Sequence, residues 1–213
     1  MVNRPLSPDG IGPKAAIQPG VLLGSLCMFP VSLDLDLLTV AVAGSGAAAR
    51  QRIRLLTEAG AGDFDVYAPD ADAEMVEAAG ARLVRRLPED SDLGALDVLF
   101  IADLAEADET RLAATARSKK VLVNTEDVRP LCDFHVPAMV RRGDLLLAIS
   151  TGGASPGLAR RLKAHLGQEF GEEWADHINE IASARTRWRE EGVPLPELGK
   201  RTNALIDEKG WLS

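Results

Sequence analysis

Three groups of residues have the types and spacing to do chemistry. Gly44-Ser45-Gly46-Ala47-Ala48-Ala49 has the form G-x-G-x-x-A. In that form Gly44 permits a tight turn, Gly46 lets the backbone approach a pyrophosphate, and Ala49 keeps the following helix close to its strand. The first N–H groups of such a helix, at Ala47 and Ala48, then offer donors to phosphate. The same residues also suit a tight strand-to-helix corner with no ligand. Asp70 follows Pro69 just past a second apolar run, where an acid can bind the ribose hydroxyls; with no Arg beside it, NAD is expected rather than NADP. A turn residue or helix cap is the alternative for Asp70.

The second group is Ser150-Thr151-Gly152-Gly153-Ala154-Ser155-Pro156. Hydroxyls, two glycines and a helix start can hold carboxylates or phosphates, although Ser155 is equally suited to act as the N-cap. The third is Asp127, three residues beyond Asn124. A carboxylate at the carboxyl edge of a parallel sheet is a candidate general base; a solvated loop acid has the same spacing. No metal-ligating cluster is visible.

The elements that must position these groups are read from periodicity. Leu38–Ala43, Phe64–Ala68, Ala81–Val84, Leu96–Ala102 and Lys120–Asn124 are short apolar runs that read as strands. Between them, Ala47–Ala59, Asp72–Ala79 and Glu106–Lys119 carry helical spacing. The alternation predicts an α/β fold, a Rossmann-type doubly wound parallel sheet. Val136–Val140 and Asp144–Ser150 then read as two strands joined through Arg141-Arg142-Gly143. A helix starts at Pro156, Trp174, Ile178, Ile181 and Trp188 form one apolar face of another, and a last helix covers 197–209. These small elements are too thin to form their own core and are expected to pack on a partner subunit. The division is therefore a leader over 1–27, a dinucleotide-binding domain over 28–136, a dimerisation region over 137–168 and a helical region over 169–213.

Of the 213 residues, 46% are hydrophobic but only 4% aromatic, so the core is expected to be aliphatic. The net charge of −8 argues against a nucleic-acid partner, which needs a basic footprint. Cys27 and Cys132 lie in no CxxC pair, which fits a reducing, cytoplasmic setting. No apolar run reaches the roughly 18 residues of a membrane span. Val21–Phe29 is apolar but short and is followed by Pro30, and Leu26 is large for a lipoprotein cleavage site before Cys27, so 1–27 reads as a disordered leader rather than a signal peptide.

The chain resembles the precorrin-2 dehydrogenase/sirohydrochlorin ferrochelatase family, also found as the N-terminal half of siroheme synthase. The matching pieces are Phe29-Pro30, the Gly44–Ala49 turn, Glu58-Ala59-Gly60-Ala61, Ala68-Pro69, Asn124-Thr125-Glu126-Asp127, Phe134-His135-Val136-Pro137-Ala138 and the string Ala148–Arg160. The resemblance implies a Rossmann domain, a small dimerisation region, a helical end and a homodimer. It implies NAD-dependent oxidation of precorrin-2 to sirohydrochlorin, often followed by insertion of ferrous iron to give siroheme. By position, Asp127 would be catalytic, and Gly44, Gly46, Ala47, Ala48, Ala49, Pro69 and Asp70 would contact the dinucleotide. Asn124, Ser150, Thr151, Gly152, Gly153 and Ser155 would contact the tetrapyrrole, with Arg129, Arg141, Arg142 and Arg160 as candidate carboxylate anchors. A dehydrogenase without chelatase activity and a non-catalytic NAD/tetrapyrrole-binding module are the alternatives. The chain departs from the family after the fourth strand, where Ala102-Asp103-Leu104-Ala105 replaces a frequent Ala-Thr-Asp.

Overall fold

A computed structural model describes residues 28–212; the leader expected over 1–27 lies outside the described residues. Five parallel strands form one sheet in the order β3-β2-β1-β4-β5, with β1 at Val40–Ala43, β2 at Asp65–Tyr67, β3 at Leu83–Val84, β4 at Val98–Ile101 and β5 at Leu122–Thr125. Helices α1 (Ala47–Glu58), α2 (Ala73–Ala79), α3 (Asp90–Leu93) and α4 (Glu106–Ser118) connect them. The order reverses direction between β1 and β4, and ligands of open α/β sheets bind beyond the strand ends at such a point.

Side-chain alternation along the strands builds two cores. Val40 and Val42 of β1 and Val98 and Phe100 of β4 pack with Ile53 and Leu56 of α1 and Met75 of α2. Ala41, Ala43, Leu99 and Ile101 face the other way, onto Leu112, Ala113 and Ala116 of α4. All of β1 and β4 is buried, as expected of strands covered on both faces. Two carboxylates extend the ladders where strand partners run out: Asp97 Oδ2 accepts from Thr39 N at 2.9 Å, and Asp133 Oδ2 accepts from Val123 N at 2.9 Å.

The sheet thus follows the expected alternation, with two local differences. The third strand begins at Leu83 because Gly80–Arg82 forms a 3-10 turn. Short α3 was not anticipated; a reciprocal cap makes it, in which Asp92 Oδ2 accepts from Glu89 N at 2.6 Å and Arg86 grips the same carboxylate.

Beyond the sheet, β6 (Ala138–Arg142) and β7 (Leu145–Ile149) form an antiparallel hairpin, followed by α5 (Pro156–Glu169), α6 (Trp174–Glu190) and α7 (Leu195–Lys209). α5 opens with Ser155 Oγ accepting from Leu158 N at 3.2 Å and Pro156 at its first position. α7 starts two residues before the expected position because Pro196 is accommodated in its first turn, where its missing N–H costs no helical bond. Phe170, Trp174, His177 and Trp211 make successive ring contacts, tilted, edge-on and then stacked, that join the ends of α5, α6 and α7.

Candidate functional site

All five parallel strands deliver their carboxyl ends to one edge, and the candidate residues lie in the loops that leave it. β1 ends at Ala43 and turns at Gly44. A Cβ on Gly44 would stand 1.7 Å from the Ala102 carbonyl oxygen, and φ is +151° there, so only glycine fits against the end of β4. Gly46 caps α1 with no side chain, and the first turn of α1 contains no acid. Its N–H groups meet an anion from elsewhere in the chain: Asp103 Oδ2 accepts from Ala48 N at 2.7 Å and from Ala49 N at 3.1 Å. The turn therefore has the close approach and the anion-receptive donors a dinucleotide pyrophosphate requires, with a carboxylate standing in for phosphate.

Asp70 lies exposed beyond Pro69, at the same edge. It makes no hydrogen bond or ion pair with any described residue. The capping role falls instead to Asp72, which accepts from Met75 N at 2.7 Å and pairs with Arg50. A free carboxylate at the end of β2 fits a ribose diol.

On the other side of the reversal, β5 leads into a recess of about 210 Å³ whose lining includes Arg52, Asn124, Asp127, Arg129, Cys132 and His135. Asp127 is exposed and has φ +56°, a left-handed conformation that Asp tolerates better than most non-glycine residues but that still has to be held in place. Its neighbours supply that constraint. Glu126 N donates to the Ile101 carbonyl at 2.9 Å, and the Glu126 carboxylate forms an ion pair with Arg52 of α1. Asn124 is buried; its amide donates to the Phe134 carbonyl at 2.9 Å, and its Oδ1 is buried without a partner. It ties β5 to the segment entering the hairpin and leaves one acceptor at the recess wall. Cys132 donates to the Thr125 carbonyl at 3.0 Å, and burial pushes its thiol above the usual range.

The second glycine motif reaches the same recess through Arg129. This guanidinium donates to the Gly152 carbonyl at 3.5 Å, and a Cβ on Gly153 would stand 3.5 Å from it. Within the loop, Thr151 Oγ1 bonds both the N and O of Ser155, and Ser150 Oγ accepts from Gly152 N. Ser155 caps α5 as described. These hydroxyls shape the loop, and Arg129 brings its glycines to the Asp127 turn. Among the candidate anchors Arg142 is committed elsewhere, to the Phe170 and Gly167 carbonyls at 2.9 and 3.1 Å and to Glu172. Sequence spacing did not single out Asp103 or the Arg52–Glu126 pair as site residues. Their only signal is topological, since β4 neighbours β1 and its exit loop must lie over the glycine turn. Among the described residues no group of three or more His, Cys, Asp or Glu could hold a metal ion, and no helix is long and apolar enough to cross a membrane.

Two family models match in tandem. Residues 31–138 match the family described as "Putative NAD(P)-binding", and residues 142–169 match that described as "Sirohaem biosynthesis protein central". The chain belongs to the precorrin-2 dehydrogenase/siroheme synthase family. Among its relatives, the siroheme synthase of Acinetobacter baylyi is 34% identical over 168 residues, 76% of this chain and 35% of that protein. The siroheme synthase of Methylococcus capsulatus is 34% identical over 144 residues, 66% of this chain and 30% of that one. The chain thus spans about a third of the length of these relatives. Of solved structures, SirC, a precorrin-2 dehydrogenase, superposes with a TM-score of 0.68 at 29% identity, covering 87% of this chain and 93% of that one. The tandem boundary falls inside β6, so the dinucleotide-binding family accounts for the whole parallel sheet and the sirohaem family for the hairpin's second strand and α5.

Proposed function

We propose that this chain oxidises precorrin-2 to sirohydrochlorin with NAD in siroheme biosynthesis. The observation that carries the reading is Asp127, fixed in a left-handed turn at a recess beside a dinucleotide cradle, in a chain that matches SirC over nearly its full length. Gly44, Gly46 and the N–H groups of Ala48 and Ala49 would hold the pyrophosphate, with Asp70 on the ribose. Bound NAD would supply the hydride acceptor. Loss of hydride from the macrocycle leaves a carbon acid, and Asp127 accepts its proton as general base. Arg129, the one arginine at the recess without a carboxylate partner among the described residues, would anchor a substrate carboxylate and draw the Gly152-Gly153 loop over the ring.

The same carboxylate would accept pyrrole N–H protons during insertion of ferrous iron, here a substrate, so ferrochelatase activity belongs to this reading. A homodimer does too: α5 buries none of its residues, and Leu158 and Leu162 are 50% and 36% exposed. The division at 136/137 and 168/169 and a cytoplasmic setting complete it.

The test is NADH formation from NAD+ and freshly generated precorrin-2, followed by anaerobic addition of ferrous iron. Asp127→Asn, which retains tolerance for the left-handed turn, is expected to lower turnover by roughly 10²–10⁴-fold while NAD binding persists. NADH without accelerated iron insertion would reduce the function to a dehydrogenase. NAD binding with neither signal would leave a binding module.

A further inference from the structure

The α1 N-terminus presents a conflict that a dinucleotide must resolve. Its Ala48 and Ala49 N–H groups are those a helix start offers to phosphate, yet both already donate to one oxygen of Asp103, 55 and 54 residues further along the chain. The space is taken as well as the donors. A Cβ on Gly46 would stand 2.5 Å from the Asp103 carboxylate, so the room that glycine leaves for a pyrophosphate is filled by this side chain. A carboxylate and a pyrophosphate cannot share two donors, and as like charges at contact distance they repel.

We propose that Asp103 is a resident competitor for the cofactor's pyrophosphate: it caps α1 until the dinucleotide displaces it, and so sets how tightly this chain binds NAD. The inference rests on the NAD reading and concerns a positioning residue, since Asp103 leaves the donors before the reaction begins. Displacement is feasible. Asp103 is exposed and lies in the short loop between β4 and α4, so the side chain can turn to solvent without disturbing the core. Its φ of +56° aims it at α1, and Asp is among the few residues that tolerate that conformation.

A charged cap that opposes its ligand has a crossed signature. Asp103→Asn keeps the left-handed turn and a neutral acceptor but removes the charge. It is expected to tighten NAD about tenfold by calorimetry, in the range a charged helix cap and its repulsion supply. The same variant is expected to lower the thermal midpoint of the cofactor-free protein by roughly 2–4 °C. A merely structural cap would lower the midpoint without tightening NAD. Inorganic pyrophosphate, titrated in parallel, separates the two readings. Tighter pyrophosphate binding by the variant with no NAD binding by either protein would sink the NAD reading and leave the competition standing. Equal or weaker binding of both probes by the variant would overturn the proposal.

Discussion

The two halves of the molecule handle their apolar residues in opposite ways. In the sheet half, residues on both faces of β1 and β4 are covered by helices, and Leu99, Ile101, Leu112 and Val123 are essentially inaccessible. From β6 onward, among the described residues, only Val140, Trp174, Ala184 and Leu198 are buried hydrophobics, although α5, α6 and α7 together are longer than the four helices of the sheet. The first half is complete as a packed unit. The second is held by edge contacts: the hairpin ladder, the chain of aromatic rings and the Arg142 clamp on the end of α5. The glycine turn and Asp127 belong to the complete half, whereas the hydroxyl and glycine loop that Arg129 contacts belongs to the incomplete one.

Mutations sharpen this contrast. The largest effect is expected from Leu99→Ala, which opens a cavity between β4 and α4 and should cost about 2–5 kcal/mol in urea unfolding. Leu158→Asp, on the uncovered face of α5, should leave the unfolding free energy of the monomer within about 0.5 kcal/mol and, under the proposed homodimer, should shift light scattering from dimer to monomer. A large loss of monomer stability from Leu158→Asp would mean that α5 is covered within its own chain. Next is Arg142→Ala. It removes two charge-assisted bonds to the last turn of α5, so amide exchange over 156–170 should accelerate roughly tenfold or more, in line with about 1.5–3 kcal/mol for such bonds. Amides of β1 and β4 should be unchanged. If they accelerate too, the halves unfold as one.

The smallest effect concerns acid. Hydrogen bonding from Arg86 holds the Asp92 carboxyl down to about 2, from the usual 3.8. A depressed carboxylate stabilises the fold fully above its unfolded value and loses that contribution as pH falls through the folded one. The urea midpoint of the native protein should therefore fall between about pH 4 and pH 2 more steeply than that of Asp92→Asn. Parallel acid limbs would remove Asp92 from the stability of the β3–α3 connection.

What could be read from the sequence follows the range of the physics. The placement of Gly44 and Asp127 was legible because each stands within a few residues of a strand end, and the alternating apolar runs locate those ends. α3 was not, since four residues carry no periodicity and its cap is visible only once Arg86 and Asp92 meet. Asp103 needed the strand order, because a loop after β4 reaches the turn after β1 only when those strands are neighbours. The position of Asn124 at the end of β5 was legible but its contacts were not: the partner of its amide, Phe134, is reached through a turn no spacing rule describes. Thr151 and Ser155 bond each other inside the loop, which hydroxyl chemistry alone does not distinguish from facing a ligand.

The strand order also bears on how the chain assembles during synthesis. β1 pairs with β2 and with β4, so the central strand leaves the ribosome long before its second neighbour exists and stays one-sided until Val98–Ile101 emerges. The hairpin of β6 and β7 has partners three residues apart at its turn and closes at once, by local contacts that form fast. A chaperone that shields Val40–Ala43 during that interval would guard the segment most exposed to wrong pairing, and a pause in translation between β2 and β4 would be the harmful one.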